Sequence, residues 1–241
     1  MSLVVVLVEP AGPLNVGSVA RLCANFDIQQ LRLVAPRCDH LGEEARRMAV
    51  HGEHLLEQAE LFPNLAAAVA DCRRVVATSG RLETESLPLS EPGPAMRWLA
   101  DPEAGRAAVV FGREDRGLSN AELLQAGRLV RIGSSQAYPS LNLSHAVGIC
   151  LHALRDSAGS TGAIDPSPAA AEPCQRGALE AALADAEALL LQVGFLYPHT
   201  ANARMAKLRA LLQRAQVSDE EVALLRGMVR QLRWAAERET P

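Results

Sequence analysis

The 241-residue sequence predicts an α/β fold with a largely parallel sheet and a small helical extension at its carboxyl end. Three observations carry that prediction. Short, β-branched apolar runs alternate with helical periodicity through residues 1–157. Gly, Ser, Thr, Pro and Ala then dominate residues 158–173, where no apolar period survives. Residues 174–241 return to amphipathic helix. Strands that alternate with helices need crossover connections, and crossovers make parallel neighbours. The expected division is an α/β unit over 1–157, a linker over 158–173 and a helical extension over 174–241.

Residues 3–8 (Leu-Val-Val-Val-Leu-Val) are continuously apolar, as a strand covered on both faces would be. A Pro/Gly loop follows, and residues 16–26 then place Val16, Val19, Ala20 and Cys23 on one helical face. Asn15 stands where a capping side chain is expected. Residues 31–34 read as a second strand, ended by Pro36. Residues 43–57 read as helix with a break near Gly52, residues 64–70 as helix and residues 74–77 as strand. Residues 107–111 form a strand that runs straight into Gly112. Ser119-Asn-Ala-Glu122 is a capping box that opens a helix. Residues 129–132 are the next strand and 143–155 the next helix. The extension carries helical stripes over 175–193, 201–215 and 219–238, with Ser218-Asp-Glu-Glu221 as a second capping box.

Composition narrows the function classes. Hydrophobic residues at 49% and charged residues at 22% suit a globular protein, and aromatics at 3% leave an aliphatic core. A net charge of −4 argues against a uniformly basic nucleic-acid binder, although a local patch suffices for RNA. Lys207 is the only lysine, so the positive charge is almost all arginine, which grips phosphate through two parallel bonds where it clusters. The five cysteines show no CxxC spacing and the six histidines no ligand spacing, so no metal is expected. The opening apolar run is too short for a signal peptide and no stretch is long enough to span a membrane. The cytoplasm is the expected location, with the cysteines as small core residues. No GxGxxG follows the first strand, and neither a P-loop nor a GxSxG elbow is present.

Three loops after strands hold unusual polar residues, and in open α/β sheets such loops share one ligand site. The first is Asn15-Val-Gly-Ser-Val-Ala-Arg21. Gly17 there allows another backbone or a ligand to approach closely. Arg21 follows Asn15 by nearly two helical turns, so both are expected to project roughly alike near the mouth of the sheet. The second is Phe111-Gly-Arg-Glu-Asp-Arg-Gly-Leu-Ser119, four charged residues bracketed by Gly112 and Gly117. That is more charge than a turn needs. The third is Tyr138-Pro-Ser-Leu-Asn-Leu-Ser144, where Ser140 and Asn142 precede a long helix. Taken singly, each loop also reads as an ordinary capped helix start or a solvated turn.

Together and in this order, NVGSVAR, VFGREDRGLS and YPSLNLSHAV resemble the three motifs of the SpoU (TrmH-like) branch of the SPOUT RNA methyltransferases. The likeness covers residues 1–157. The tail, with Gly194-Phe195, Met205-Ala-Lys-Leu-Arg209 and Leu224-Leu-Arg-Gly227, resembles the extension of members that methylate the ribose 2′-OH of nucleotide 32 in the tRNA anticodon loop. The resemblance implies a deep trefoil knot, which general rules of chain topology disfavour. It also implies an obligate homodimer through the knot region, with each active site completed by the partner. S-adenosylmethionine would sit in the knot, held by Thr78, Ser79, Gly80, Gly112, Ile132, Pro139, Ser140 and Leu141.

Arg21 would be the principal catalytic residue. Asn15 and Glu114 would position it or the substrate, and Ser140 and Asn142 would hold substrate and cofactor. A guanidinium, with a pKa above about 12, is a poor base. Its expected task is to fix phosphate or ribose and stabilise the developing alkoxide. Arg21, Arg113 and Arg116 around the site, and Arg204, Lys207 and Arg209 in the tail, are the expected RNA contacts. In the run after Thr78, Glu83 and Glu85 beside Arg81 depart from the family by adding negative charge where RNA would pass. Two alternatives stand beside the anticodon-loop reading. One is a 2′-O-methyltransferase acting on ribosomal RNA or a different tRNA position. The other is a non-catalytic RNA-binding homologue, which the intact Asn15, Arg21, Glu114, Ser140 and Asn142 argue against.

Overall fold

The computed structural model describes residues 2–80, 87–101, 105–135, 137, 140–159 and 172–238. Among these residues seven strands form one sheet: β1 (Ser2–Val8), β2 (Gln30–Val34), β3 (Glu60–Phe62), β4 (Arg74–Thr78), β5 (Leu89–Ser90), β6 (Arg106–Phe111) and β7 (Arg128–Val130). Their order is β3-β2-β1-β6-β4-β7-β5, and every pair is parallel. The register sets Val5 beside Leu31 on one side and Val109 on the other.

Alternation along the strands splits the core in two. Leu3, Val5, Leu7, Val76, Ala107, Val109 and Phe111 pack beneath one layer of helices. Val4, Val6, Val8, Val75, Ala77, Ala108 and Val110 pack beneath the other. A continuous apolar strand is what two covered faces require. The first layer holds α1 (Pro13–Asn25), α2 (Glu43–Ala49), α3 (Glu53–Glu57), α5 (Pro92–Leu99) and α7 (Leu143–Gly159). The second holds the short α4 (Leu65–Ala68) and α6 (Asn120–Leu123). The extension is α8 (Arg176–Gln192), α9 (Pro198–Ala215) and α10 (Asp219–Arg238), around an apolar cluster of its own that includes Leu179, Leu183, Met205 and Val222. It is tied to the sheet unit by Arg73–Asp219 at 2.8 Å and by Gln213, whose Nε2 donates to the Leu124 carbonyl. Cys23, Cys72, Cys150 and Cys174 are buried and Cys38 is half-buried, all with free thiols.

Several expectations need correction. β3, β5 and α5 were not expected. β3 and β5 are three- and two-residue edge strands with too few residues to show a period, and α5 opens on Pro92-Gly93-Pro94, which reads as a turn. Pro at the first helical positions instead pre-sets the backbone. Helix α1 likewise starts at Pro13 with Gly12 as its cap, so Asn15 lies inside the first turn and does not cap it. The expected break near Gly52 is a 3-10 turn over Val50–Gly52 between α2 and α3. Both capping boxes form, at Ser119–Glu122 and at Ser218–Glu221. Arg81, Glu83, Glu85, Tyr138, Pro139 and residues 160–171 of the expected linker lie outside the described residues.

Candidate functional site

The carboxyl ends of β4, β6 and β7 open onto a cleft of about 470 Å³. Seven of the eight residues expected to hold a cofactor line it: Thr78, Ser79, Gly80, Gly112, Ile132, Ser140 and Leu141. The eighth, Pro139, lies outside the described residues. Apolar Val130, Leu143 and Ala146 line it as well, with Glu114, Asp115 and Arg116. Sequence periodicity could not separate those three apolar residues from ordinary core. The loops are locally fixed. Thr78 Oγ1 donates to the Val110 carbonyl at 3.1 Å, and the Ser79 N–H to the Val130 carbonyl at 2.9 Å. Gly112 has no room for a side chain, since a Cβ would lie 2.4 Å from the Gly117 and Leu118 backbone.

One hydrogen-bond chain joins all three motif loops. The Glu114 carboxylate accepts from the Ala11 and Gly12 N–H groups and from Asn15 Nδ2, each at 3.1 Å. Asn15 Oδ1 accepts from Asn142 Nδ2 at 2.9 Å. Asn142 Oδ1 accepts from the Ser144 N–H at 2.9 Å and the Ser144 hydroxyl at 2.7 Å. A carboxylate at one end and backbone N–H groups at the other leave each amide a single orientation. Glu114 also supplies the cap that Gly12 cannot, with negative charge at the amino terminus of α1. Burial pushes its carboxyl up, but the bonds from Ala11, Asn15 and Gly12 more than offset this and hold it below the usual carboxylate value.

Arg21 is placed differently from expectation. Six residues advance about 600° around a helix, roughly 120° short of two turns, so Arg21 and Asn15 diverge. Arg21 is exposed and lines a second cavity of about 540 Å³ with Ser18, Leu22, Asn25, Met48, Ser144, His145, Gly148 and Ile149. None of these residues lines the first cleft. The first turns of α7 divide the two spaces, with Leu143 and Ala146 on one side and Ser144 and His145 on the other. Arg21 makes no hydrogen bond or ion pair among the described residues, so its charge is available to a ligand. Gly17 serves a helix rather than a ligand: a Cβ there would meet the Ala45 carbonyl of α2 at 2.1 Å.

Three of the expected RNA contacts are engaged within the chain. Arg113 is almost wholly buried, bonded to Glu9, to Glu122 at 2.9 Å and to the Gly117 carbonyl at 3.1 Å. The hydrogen bonds it donates to Glu122 and Glu9, chiefly, raise its pKa further above an already high value. Arg209 pairs with Glu180 at 2.8 Å, and Arg204 donates to the Phe195 carbonyl at 3.0 Å. Arg116 is exposed, 3.8 Å from Glu9, and Lys207 is exposed. Glu9 was missed as a site residue. It anchors Arg113 and Arg37 from the end of β1, and chiefly the Arg113 bond holds its carboxyl below the usual range. No group of three potential metal ligands occurs among the described residues, and none of their helices is long and apolar enough to cross a membrane.

With this geometry in place, the likeness to known proteins is specific. A model of the SpoU rRNA methylase family matches residues 2–152, and a model of the tRNA methyltransferase TrmJ C-terminal domain matches residues 177–241. A Methanocaldococcus jannaschii protein named tRNA (cytidine-2′-O-)-methyltransferase TrmJ is 38% identical over 152 residues, 61% of this chain and 65% of that one. The Cronobacter sakazakii tRNA (cytidine/uridine-2′-O-)-methyltransferase TrmJ is 33% identical over 229 residues, 93% of each chain. The Pseudomonas aeruginosa relative, whose name adds adenosine to those two nucleosides, is 32% identical over 93% of this chain and 91% of its own. The crystal structure of TrmJ from Z. mobilis superimposes with a TM-score of 0.82 at 30% identity, covering 95% of this chain and 98% of that one.

Proposed function

This chain belongs to the SpoU methylase family, in its TrmJ branch, and on that premise we propose that it methylates a ribose 2′-oxygen of tRNA, using S-adenosylmethionine. The observation that carries this reading is the single hydrogen-bond chain Glu114–Asn15–Asn142, which locks the three motif loops around one cleft. The cleft fits the cofactor. Its volume is that of a small-ligand site, and its lining offers apolar side chains for a flat neutral ring and the exposed Asp115 carboxylate for positive charge. Thr78, Ser79, Gly80, Gly112, Ile132, Ser140 and Leu141 would hold it, and Pro139 with them. The cofactor supplies an electrophilic methyl group on a sulfonium. The protein has to align the ribose oxygen with that methyl and favour loss of the hydroxyl proton.

Arg21 is the group that meets the ribose or its phosphate and stabilises the alkoxide as it develops. The separation of its cavity from the cleft supports a homodimer in which Arg21 of one copy serves the cleft of the other. Exposed Leu141 and Ile149 at that boundary suit an interface between copies. We take residues 1–157 as a knotted methyltransferase unit, 158–173 as linker and 174–241 as a helical unit that adds tRNA contacts. Nucleotide 32 of the anticodon loop is the expected target, on the likeness of the tail, and the cytoplasm the expected site of action. The test is methylation of an unmodified tRNA transcript by the full chain, with the product mapped to one nucleotide. A 2′-O-methyl group at position 32 is expected. A product at another tRNA position or only in ribosomal RNA corrects the target, and none on any RNA refutes the activity.

A further inference from the structure

Three arginines gather at the amino-terminal end of the sheet, opposite the cleft. Arg74 opens β4, Arg128 opens β7 and Arg176 opens α8. Arg74 and Arg128 stand over Trp98 of α5, and Arg176 reaches the same corner at Gly127. The Arg74 and Arg128 guanidinium carbons lie 5.3 and 4.6 Å from its ring centroid. Arg176 Nη2 stands against Gly127: a Cβ at Gly127 would lie 2.5 Å from that nitrogen and 3.3 Å from the Trp98 ring. The missing side chain at Gly127 is what leaves room for the guanidinium.

Their charges are met unequally. Arg74 is saturated by Glu172 at 2.6 Å, Asp101 at 3.1 Å and the Trp98 carbonyl at 2.6 Å. Neither the Arg128 nor the Arg176 guanidinium has a hydrogen bond or ion pair among the described residues, and the Nε of each is buried without a partner. Arg176 is only 5% exposed. Burial lowers the affinity of both groups for their protons, and neighbouring Arg74 adds to this at Arg128. Glu180 offsets the burial of Arg176 only in part, and a guanidinium withdrawn from water without a hydrogen-bonded counter-charge is costly, a cost that an arriving anion would relieve. An anion with several acceptor oxygens suits such guanidinium groups, whose donors lie in one planar fork.

We propose that Arg128 and Arg176, backed by Arg74 and Trp98, form an anion site that takes a backbone phosphate of the RNA substrate. The RNA as source rests on the proposed function; the demand for an oxyanion rests on the side chains alone. β4 runs from Arg74 to Thr78, so the site lies about 13 Å from the cleft along the strand, at 3.3 Å per residue. A phosphate held there fixes the position of the RNA without reading its sequence.

The test uses the full chain and two probes. Inorganic phosphate, against chloride at equal ionic strength, should raise the melting temperature of the unaltered protein to a plateau and leave Arg128→Gln unmoved. For tRNA, the plot of log affinity against log salt should become shallower by about 0.7–0.9 in Arg128→Gln, the loss of one phosphate contact. Arg128→Lys should keep most of that slope with weaker affinity. Arg176→Gln should reproduce both effects, and serves if Arg128→Gln misfolds by circular dichroism. No response to phosphate overturns the site. A response to phosphate with an unchanged tRNA slope overturns RNA as its ligand. A protein that shows both effects yet transfers no methyl group refutes the proposed activity and leaves the site standing.

Discussion

Replacing Glu114 with Gln should cost the fold about 2 kcal/mol at pH 7 and unfasten the three motif loops. The magnitude follows from the bonds that change. Glu114 Oε1 accepts from Gly12 N–H and Asn15 Nδ2, and Oε2 accepts from Ala11 N–H. A Gln carbonyl can replace only one of those oxygens, and its NH2 then faces a donor. One charge-assisted bond is lost, worth about 1.5 kcal/mol after allowing for its exposure. Loss of the anion at the amino terminus of α1 adds about 0.5 kcal/mol. Urea unfolding of both proteins from pH 7 to pH 3 measures the difference. The folded carboxyl sits below its unfolded value of 4.5. Its contribution is therefore complete above that value and is lost as the pH falls through the lower folded value. The gap between the two proteins should be widest at neutral pH and close under acid. Other depressed carboxylates, at Glu9, Asp71 and Glu122, titrate equally in both proteins and cancel in the difference. Equal stability at pH 7, or a gap that widens on acidification, refutes the clamp.

Arg21→Ala should abolish methyl transfer while calorimetry finds S-adenosylmethionine affinity unchanged, because Arg21 does not line the cleft. Co-expressed with a cleft variant such as Gly112→Val, itself inactive, it should restore about a quarter of the wild-type activity, the share expected from random pairing with one intact site per mixed dimer; no recovery would place Arg21 at its own cleft. Gly17→Ala should destabilise the protein by about 3 kcal/mol in thermal unfolding, since the Ala45 carbonyl cannot yield to a Cβ at 2.1 Å without parting α1 from α2. In the tail, Lys207→Gln should reduce the salt dependence of tRNA binding and leave stability alone, whereas Arg209→Gln should lower stability by removing the partner of Glu180.

The sheet was legible wherever burial on both faces left an unbroken apolar run, as over residues 3–8 of β1 and 107–111 of β6. It was illegible in β5, where two residues at a sheet edge carry no pattern. The motif loops identified the cleft, since each lies at the end of a strand whose place in the sheet the alternation fixes. Their chemistry was less accessible. Nothing local distinguishes Arg113, an internal tie, from Arg116 three residues on, because the partners Glu9 and Glu122 reach Arg113 from two other elements. Arg128 and Arg176 drew no notice, since an arginine at a strand or helix start reads as solvated until its burial is seen.

The clamp and the position of Arg21 belong to one argument. Asn15 and Arg21 share α1, and the clamp fixes that helix from its first turn through Glu114 and Asn142. Gly17 then lets α1 lie directly on α2, and α7 packs along its other side. The helix therefore has no freedom to roll Arg21 toward the cleft, which opens on the far side of the first turns of α7. A side chain on a helix so held can reach reacting atoms only if they come to it. The rigidity that keeps the motif loops in register is thus also the physical ground for the proposed pairing, in which the cleft of a second copy would come to the guanidinium.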